Sequence, residues 1–121
     1  MTVDEAISDL LGISTDIRCL AVFDAGGALL GAGPGGVAAG AGAAADGLWR
    51  SAAEAAAADA GGGPGAPLEH VAVDLGDAAV VVLEAGGRRI AAVTAAGPPL
   101  GLVLFDLRTC LADAFPAEAD S

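Results

Sequence analysis

The chain has 121 residues, 16 of them Asp or Glu against five Arg, no Lys and one His, for a net charge of −11. That balance repels phosphate backbones and anionic lipid, which excludes nucleic acid and membrane surfaces as partners. With 55% hydrophobic but only 3% aromatic residues, the core of this one-domain chain must be built from Ala, Val, Leu and Ile, so that close backbone approach replaces bulk.

A mean hydropathy of +0.65 invites a membrane reading. The uncharged run Ala25 to Ala45 is mostly Gly and Ala with Pro34 inside it, and Ile90 to Phe105 is broken by Gly97-Pro98-Pro99. Neither supplies the ~20 strongly apolar residues of a spanning helix. The N-terminus carries no basic segment followed by an apolar one, so no secretory signal is read there and a cytoplasmic protein with reduced thiols is expected.

Thr2 and Glu5 have capping-box spacing, and Val3, Ile7, Leu10 and Leu11 then share one helical stripe that ends at Gly12. Ile17 to Asp24 is a strand apolar on both sides, with Ile17, Cys19, Ala21 and Phe23 on one face and Leu20 and Val22 on the other. Asp24-Ala25-Gly26-Gly27 turns it into a second strand around Ala28 to Ala32, and Gly31 to about Gly42 follows as a connection without assigned structure. A helix begins at Ala43 or Asp46 and runs to Asp59, with Trp49, Ala52, Ala53 and Ala56 on a smooth face. Leu68 to Leu75 alternates, and Gly76-Asp77 suits a hairpin turn into the apolar run Ala78 to Leu83. Gly86-Gly87 then turns the chain into Arg88 to Thr94, and the amphipathic helix Leu100 to Phe115 closes it. Helix, two strands, helix, three strands and helix make an α+β domain, with helices on both sides of one five-stranded antiparallel sheet.

Chemistry does not gather anywhere along this order. Gly31-x-Gly33-x-x-Gly36 matches a dinucleotide fingerprint, but the strand before it belongs to a hairpin rather than a parallel unit, and Pro34 removes an amide donor. A phosphate loop needs a lysine. His70 has no partner base and no second metal ligand in sequence. Cys19 and Cys110 read as small apolar residues rather than a disulfide. Asp106 and Arg108 are two apart on a helix and face different ways, while Arg88 and Arg89 read either as a dock for an acidic partner or as a solvated strand end.

Together, the order of elements and the segments IRCLAVFD (Ile17 to Asp24), GGRRIAAVT (Gly86 to Thr94) and LGLVLFDLRTCL (Leu100 to Leu111) resemble the roadblock / dynein light chain family, more narrowly its short bacterial members. The resemblance implies a roadblock / profilin-like α-β-β-α-β-β-β-α domain over residues 1–115 with a polar tail at 116–121, the middle helix covering one face of the sheet and the terminal helices the other. It also implies a homodimer made by the middle helix (Leu48 to Asp59) and the third strand (Leu68 to Leu75). Leu48, Trp49, Ala52, Ala53, Ala56, His70, Val71 and Val73 would stand at that interface. Members of the family are non-catalytic and need no cofactor; they act as scaffolds or as regulators of small Ras-like GTPases. The chain departs from its relatives in its long Gly/Ala connection and bare middle helix. A ligand-binding sensor of PAS or profilin-like type is the competing expectation, and it requires a cavity beside the sheet.

Overall fold

The computed structural model describes residues 2–33, 38–59 and 69–116; the side chains at 38–46, 57 and 59 lie outside the described set. Its elements are α1 (Val3–Ile13), β1 (Ile17–Asp24), β2 (Leu29–Gly33), α2 (Ala38–Asp59), β3 (His70–Asp74), β4 (Ala78–Ala85), β5 (Arg88–Ala95) and α3 (Leu100–Ala114). The five strands form one antiparallel sheet in the order β2-β1-β5-β4-β3.

Both faces of the sheet are apolar, and each finds its own cover. Leu20, Val22, Val81, Leu83, Ile90 and Ala92 pack beneath α1 and α3, which contribute Ala6, Ile7 and Leu10 and Val103, Leu107 and Leu111. On the other face Phe23, Val82 and Ala91 pack on Trp49 of α2, with Leu48, Val71 and Val80 around them. One helix on one side and two on the other is the expected layering.

Local chemistry explains the joints. The Glu5 amide donates to Thr2 Oγ1 at 3.2 Å, the N-cap bond that the spacing predicts, while the Glu5 carboxylate accepts from the Thr2 hydroxyl at 3.0 Å rather than from its backbone amide. Asp24 Oδ1 accepts from the amides of Gly26 and Ala28, both at 2.9 Å, while Gly27 takes φ +90°, a value that only glycine adopts cheaply. The β4–β5 turn places Gly86 and Gly87 at φ +61° and +75°, the paired positive values of a type I′ hairpin.

Three expectations shift. Ile17 joins Leu20 and Val22 on the α1/α3 face rather than Cys19 and Phe23, because a register irregularity between Ile17 and Cys19 inserts a residue and reverses the alternation. Leu75 leaves β3 and is 58% exposed in the turn, and Leu68 lies outside the described residues. The connection expected from Gly31 to Gly42 is mostly structured: Gly31 to Gly33 belong to β2, α2 begins at Ala38, and residues 34–37 lie outside the described set. Alanine is the strongest helix former, so an Ala-rich run stays helical despite Gly40 and Gly42 and without any apolar period.

The glycines of β2 have a packing role. A Cβ on Gly31 would come within 2.7 Å of Val3 Cγ1, and one on Gly33 within 3.0 Å of Ile7 Cγ2. Helix α1 therefore rests on bare backbone. Gly31→Ala and Gly33→Ala are expected to destabilise the fold by about 1–3 kcal/mol each. Gly47→Ala, where an added Cβ meets nothing within 4 Å, is expected to stabilise by ~0.5–1 kcal/mol. Denaturant unfolding measures both, and equal shifts at the two kinds of site would show that α1 does not press on β2.

Candidate interaction surfaces

Strand β3 is an edge: it pairs with β4, and no described strand lies on its other side. Its alternation sets Val71 and Val73 on the α2 side, both half-buried, and His70 and Ala72 on the α1/α3 side. His70 Nδ1 is buried with no hydrogen-bond partner among the described residues. Asp74 Oδ1 accepts from the Gly76 amide at 2.8 Å, so the one charge on this strand is engaged in the turn. Nothing in the five residues His70–Asp74 blunts the edge as a proline or a lysine would.

Helix α2 contributes a second, adjoining surface. Trp49 turns inward and is 4% exposed, so its ring belongs to the core of the single chain. Leu48 is half-buried beside it, Ala52 and Ala53 are half-buried, and Ala56 is exposed. The structure thus joins Leu48, Trp49 and Val71 in one cluster, and sets His70 across the sheet from Val71 and Val73.

The paired arginines of β5 are not a solvated strand end. Successive residues of a strand point to opposite faces, so Arg88 stacks its guanidinium 3.8 Å from the centroid of the Phe115 ring at the end of α3. Arg89 lies 5.3 Å from the Trp49 ring centroid and donates from Nε to Glu84 Oε2 at 2.9 Å. Each arginine fastens a helix to one face. The periodicity of the sequence could place them back to back, but their ring partners come from distant segments.

Gly31 and Gly33, the first two positions of the rejected dinucleotide spacing, serve helix packing instead, and Gly36 lies outside the described residues. No group of three or more His, Cys, Asp or Glu among the described residues is placed to hold a metal ion, and no described helix is long and apolar enough to cross a membrane. Both cysteines are free. They lie on opposite sides of the sheet: Cys19 pairs with Val93, on the α2 face, whereas Cys110 is buried beneath α1. Burial pushes the Cys110 thiol up to about 11, and the nearby Asp113 and Asp9 carboxylates push in the same direction.

What sequence reasoning missed is a groove between α1 and α3. It holds about 230 Å³ and is lined by Leu10, Ile13 and Cys110 together with the carboxylates Asp9, Asp106 and Asp113. The acids come from two helices about a hundred positions apart, so no local spacing could announce them.

By sequence, no protein-family model and no curated protein matches the chain. By structure it is similar to two solved Roadblock/LC7 domains from Streptomyces avermitilis. One has a TM-score of 0.77 and 16% identity, covering 97% of this chain and 98% of that domain. The other has a TM-score of 0.68 and 14% identity, covering 93% and 98%. The chain has the Roadblock/LC7 fold.

A thiol reagent at pH 8 is expected to label Cys19 quickly and Cys110 only slowly, because reaction needs the thiolate and the Cys110 pKa lies well above that pH. The same raised pKa stabilises the folded state fully below about pH 9 and loses that contribution as the pH rises toward about 11. Monophasic labelling of both thiols in the native protein would contradict the buried environment of Cys110.

Proposed function

We propose that the protein is a non-catalytic, dimeric interaction module that binds and regulates a small Ras-like GTPase or a related signalling partner in the cytoplasm. The observation that carries this reading is the β3 edge. Among the described residues nothing pairs with its outer side and its imidazole Nδ1 is buried without a partner; it is low in charge and stands beside the alanine face of α2. Two such edges pairing about a two-fold axis would continue the sheet from one chain into the next and satisfy both rows of backbone groups. Ala52, Ala53 and Ala56 suit the helix contact across that axis. Alanine loses almost no side-chain entropy on burial and lets backbones approach closely.

The regulatory part rests on the shared fold and on what the chain lacks. Without lysine it has no phosphate-loop cation, and the Nδ1 of His70, the one histidine, has no hydrogen-bond partner among the described residues to orient it as a base. Any effect on GTP hydrolysis must then come from reshaping the partner's own switch segments. The net charge of −11 turns the protein away from nucleic acid and anionic lipid.

Light scattering at micromolar concentration is expected to give twice the chain mass. Ala56 is exposed in the single chain, so Ala56→Glu leaves the monomer fold intact while placing a charge in the contact. The cost there is on the order of 3 kcal/mol, roughly a hundredfold in the dissociation constant. Ala112→Glu on exposed α3 should change nothing, and a monomeric wild-type mass would remove the dimer.

Calorimetry on the isolated protein should detect no nucleotide binding. With a small GTPase from the same cell, any stimulation of hydrolysis should saturate at a fixed stoichiometry and survive Arg108→Ala. Tight GTP binding by the chain alone would overturn the regulatory reading.

A further inference from the structure

The groove between α1 and α3 lies on the face of the sheet opposite α2, away from the Ala52, Ala53 and Ala56 surface. Its base is apolar, with Leu10 and the buried Cys110, and Asp9, Asp106 and Asp113 stand around it. No arginine lines it. Arg108 shares α3 with two of these acids but is exposed and set two positions from Asp106, which turns it toward another side of the helix.

The outward side of α3 continues the same surface. Leu102, Phe105, Asp106, Thr109 and Asp113 follow the i, i+3, i+4, i+7, i+11 spacing of a single helical stripe, apolar where it starts and acidic where it ends. Phe105 is 64% exposed, Leu102 54% and, on α1, Ile13 78%. Isolated apolar residues on a surface need no explanation, but a set of them bordering a cleft marks a place where another molecule sits. The carboxylates decide what kind of molecule. Three like charges around one cleft repel each other and any acidic partner, and together they favour a cationic one. The Cys110 thiol on that floor is raised first by burial, and Asp113 and then Asp9 push it in the same direction.

We propose that the α1–α3 groove docks a basic amphipathic helix of a partner protein, apolar side chains covering Ile13, Leu102 and Phe105 while its Lys or Arg residues pair with Asp9, Asp106 and Asp113. A third helix laid between two others buries one apolar stripe and presents its flanks to both walls, the usual geometry of helix-in-groove recognition. Charge complementarity speeds the encounter and fixes the register.

The test uses the full-length protein and three fluorescein-labelled 18-residue peptides: one with Leu at helical i, i+3, i+4, i+7 spacing and Lys or Arg elsewhere, a scrambled version, and a version with Glu in place of every cation. Anisotropy should show saturable binding of the first at one peptide per chain, at least tenfold weaker binding of the scrambled peptide, and none of the acidic one. Asp9→Asn, Asp106→Asn and Asp113→Asn combined should weaken binding tenfold or more. Glu54→Gln, Glu69→Gln and Asp77→Asn combined remove the same charge from other exposed positions and should change it less than threefold. Phe105→Ala, exposed and so harmless to the fold, should weaken binding at least fivefold. Equal losses from the two triple variants, equal binding of the ordered and scrambled peptides, or no saturation would overturn the proposal. So would a change in the molar mass of the free protein on Phe105→Ala, which would make a second copy the occupant.

Discussion

Everything in this fold follows from strands that are apolar on both faces. Val81, Leu83 and Ile90 point one way and Val82 and Ala91 the other, all of them buried. Leaving either set in water would forfeit about 25 cal/mol for each Å² of apolar surface. A single helical layer cannot serve such a sheet. The chain supplies α2 for one side and α1 with α3 for the other, and the rest of the architecture is the consequence of fitting those layers with few large side chains.

That scarcity of bulk explains where glycine and arginine stand. Helix α1 approaches β2 closely because Gly31 and Gly33 offer backbone rather than side chain. At the β4–β5 turn Arg88 and Arg89 extend in opposite directions to reach Phe115 and Trp49. The hydrocarbon stems pack as apolar matter, while the guanidinium groups sit on aromatic faces that attract cations. Two of the chain's four aromatic residues are thereby tied to adjacent positions of one strand.

Much of this is legible in the sequence. Capping at Thr2, the turn residues at Asp24-Ala25-Gly26-Gly27 and Gly86-Gly87, and the period of α3 are local signals, and local signals survive folding. The failures are equally physical. An Ala/Gly run has no hydrophobic period, so the first turns of α2 were invisible to pattern although alanine favours them intrinsically. The reversal of Ile17 needs a bulge, which depends on the partner strand. Of the surface residues, the α2 alanines and β3 valines could be singled out from spacing, while the inward turn of Trp49 and the meeting of Asp9 with Asp106 and Asp113 could not. Those are tertiary facts, set by how helices cross the sheet.

Trp49 is the only tryptophan in the chain, and there is no tyrosine. Its indole is packed against Phe23, Val82 and Ala91, with the Arg89 guanidinium over the ring. Excitation at the red edge of protein absorption therefore reads one place only, the seam between α2 and the sheet. The polarity and quenching around that single ring form a built-in optical gauge of whether α2 is seated. The two layers of the molecule are thus spectroscopically separate: one carries a native fluorophore, and the α1–α3 side carries none.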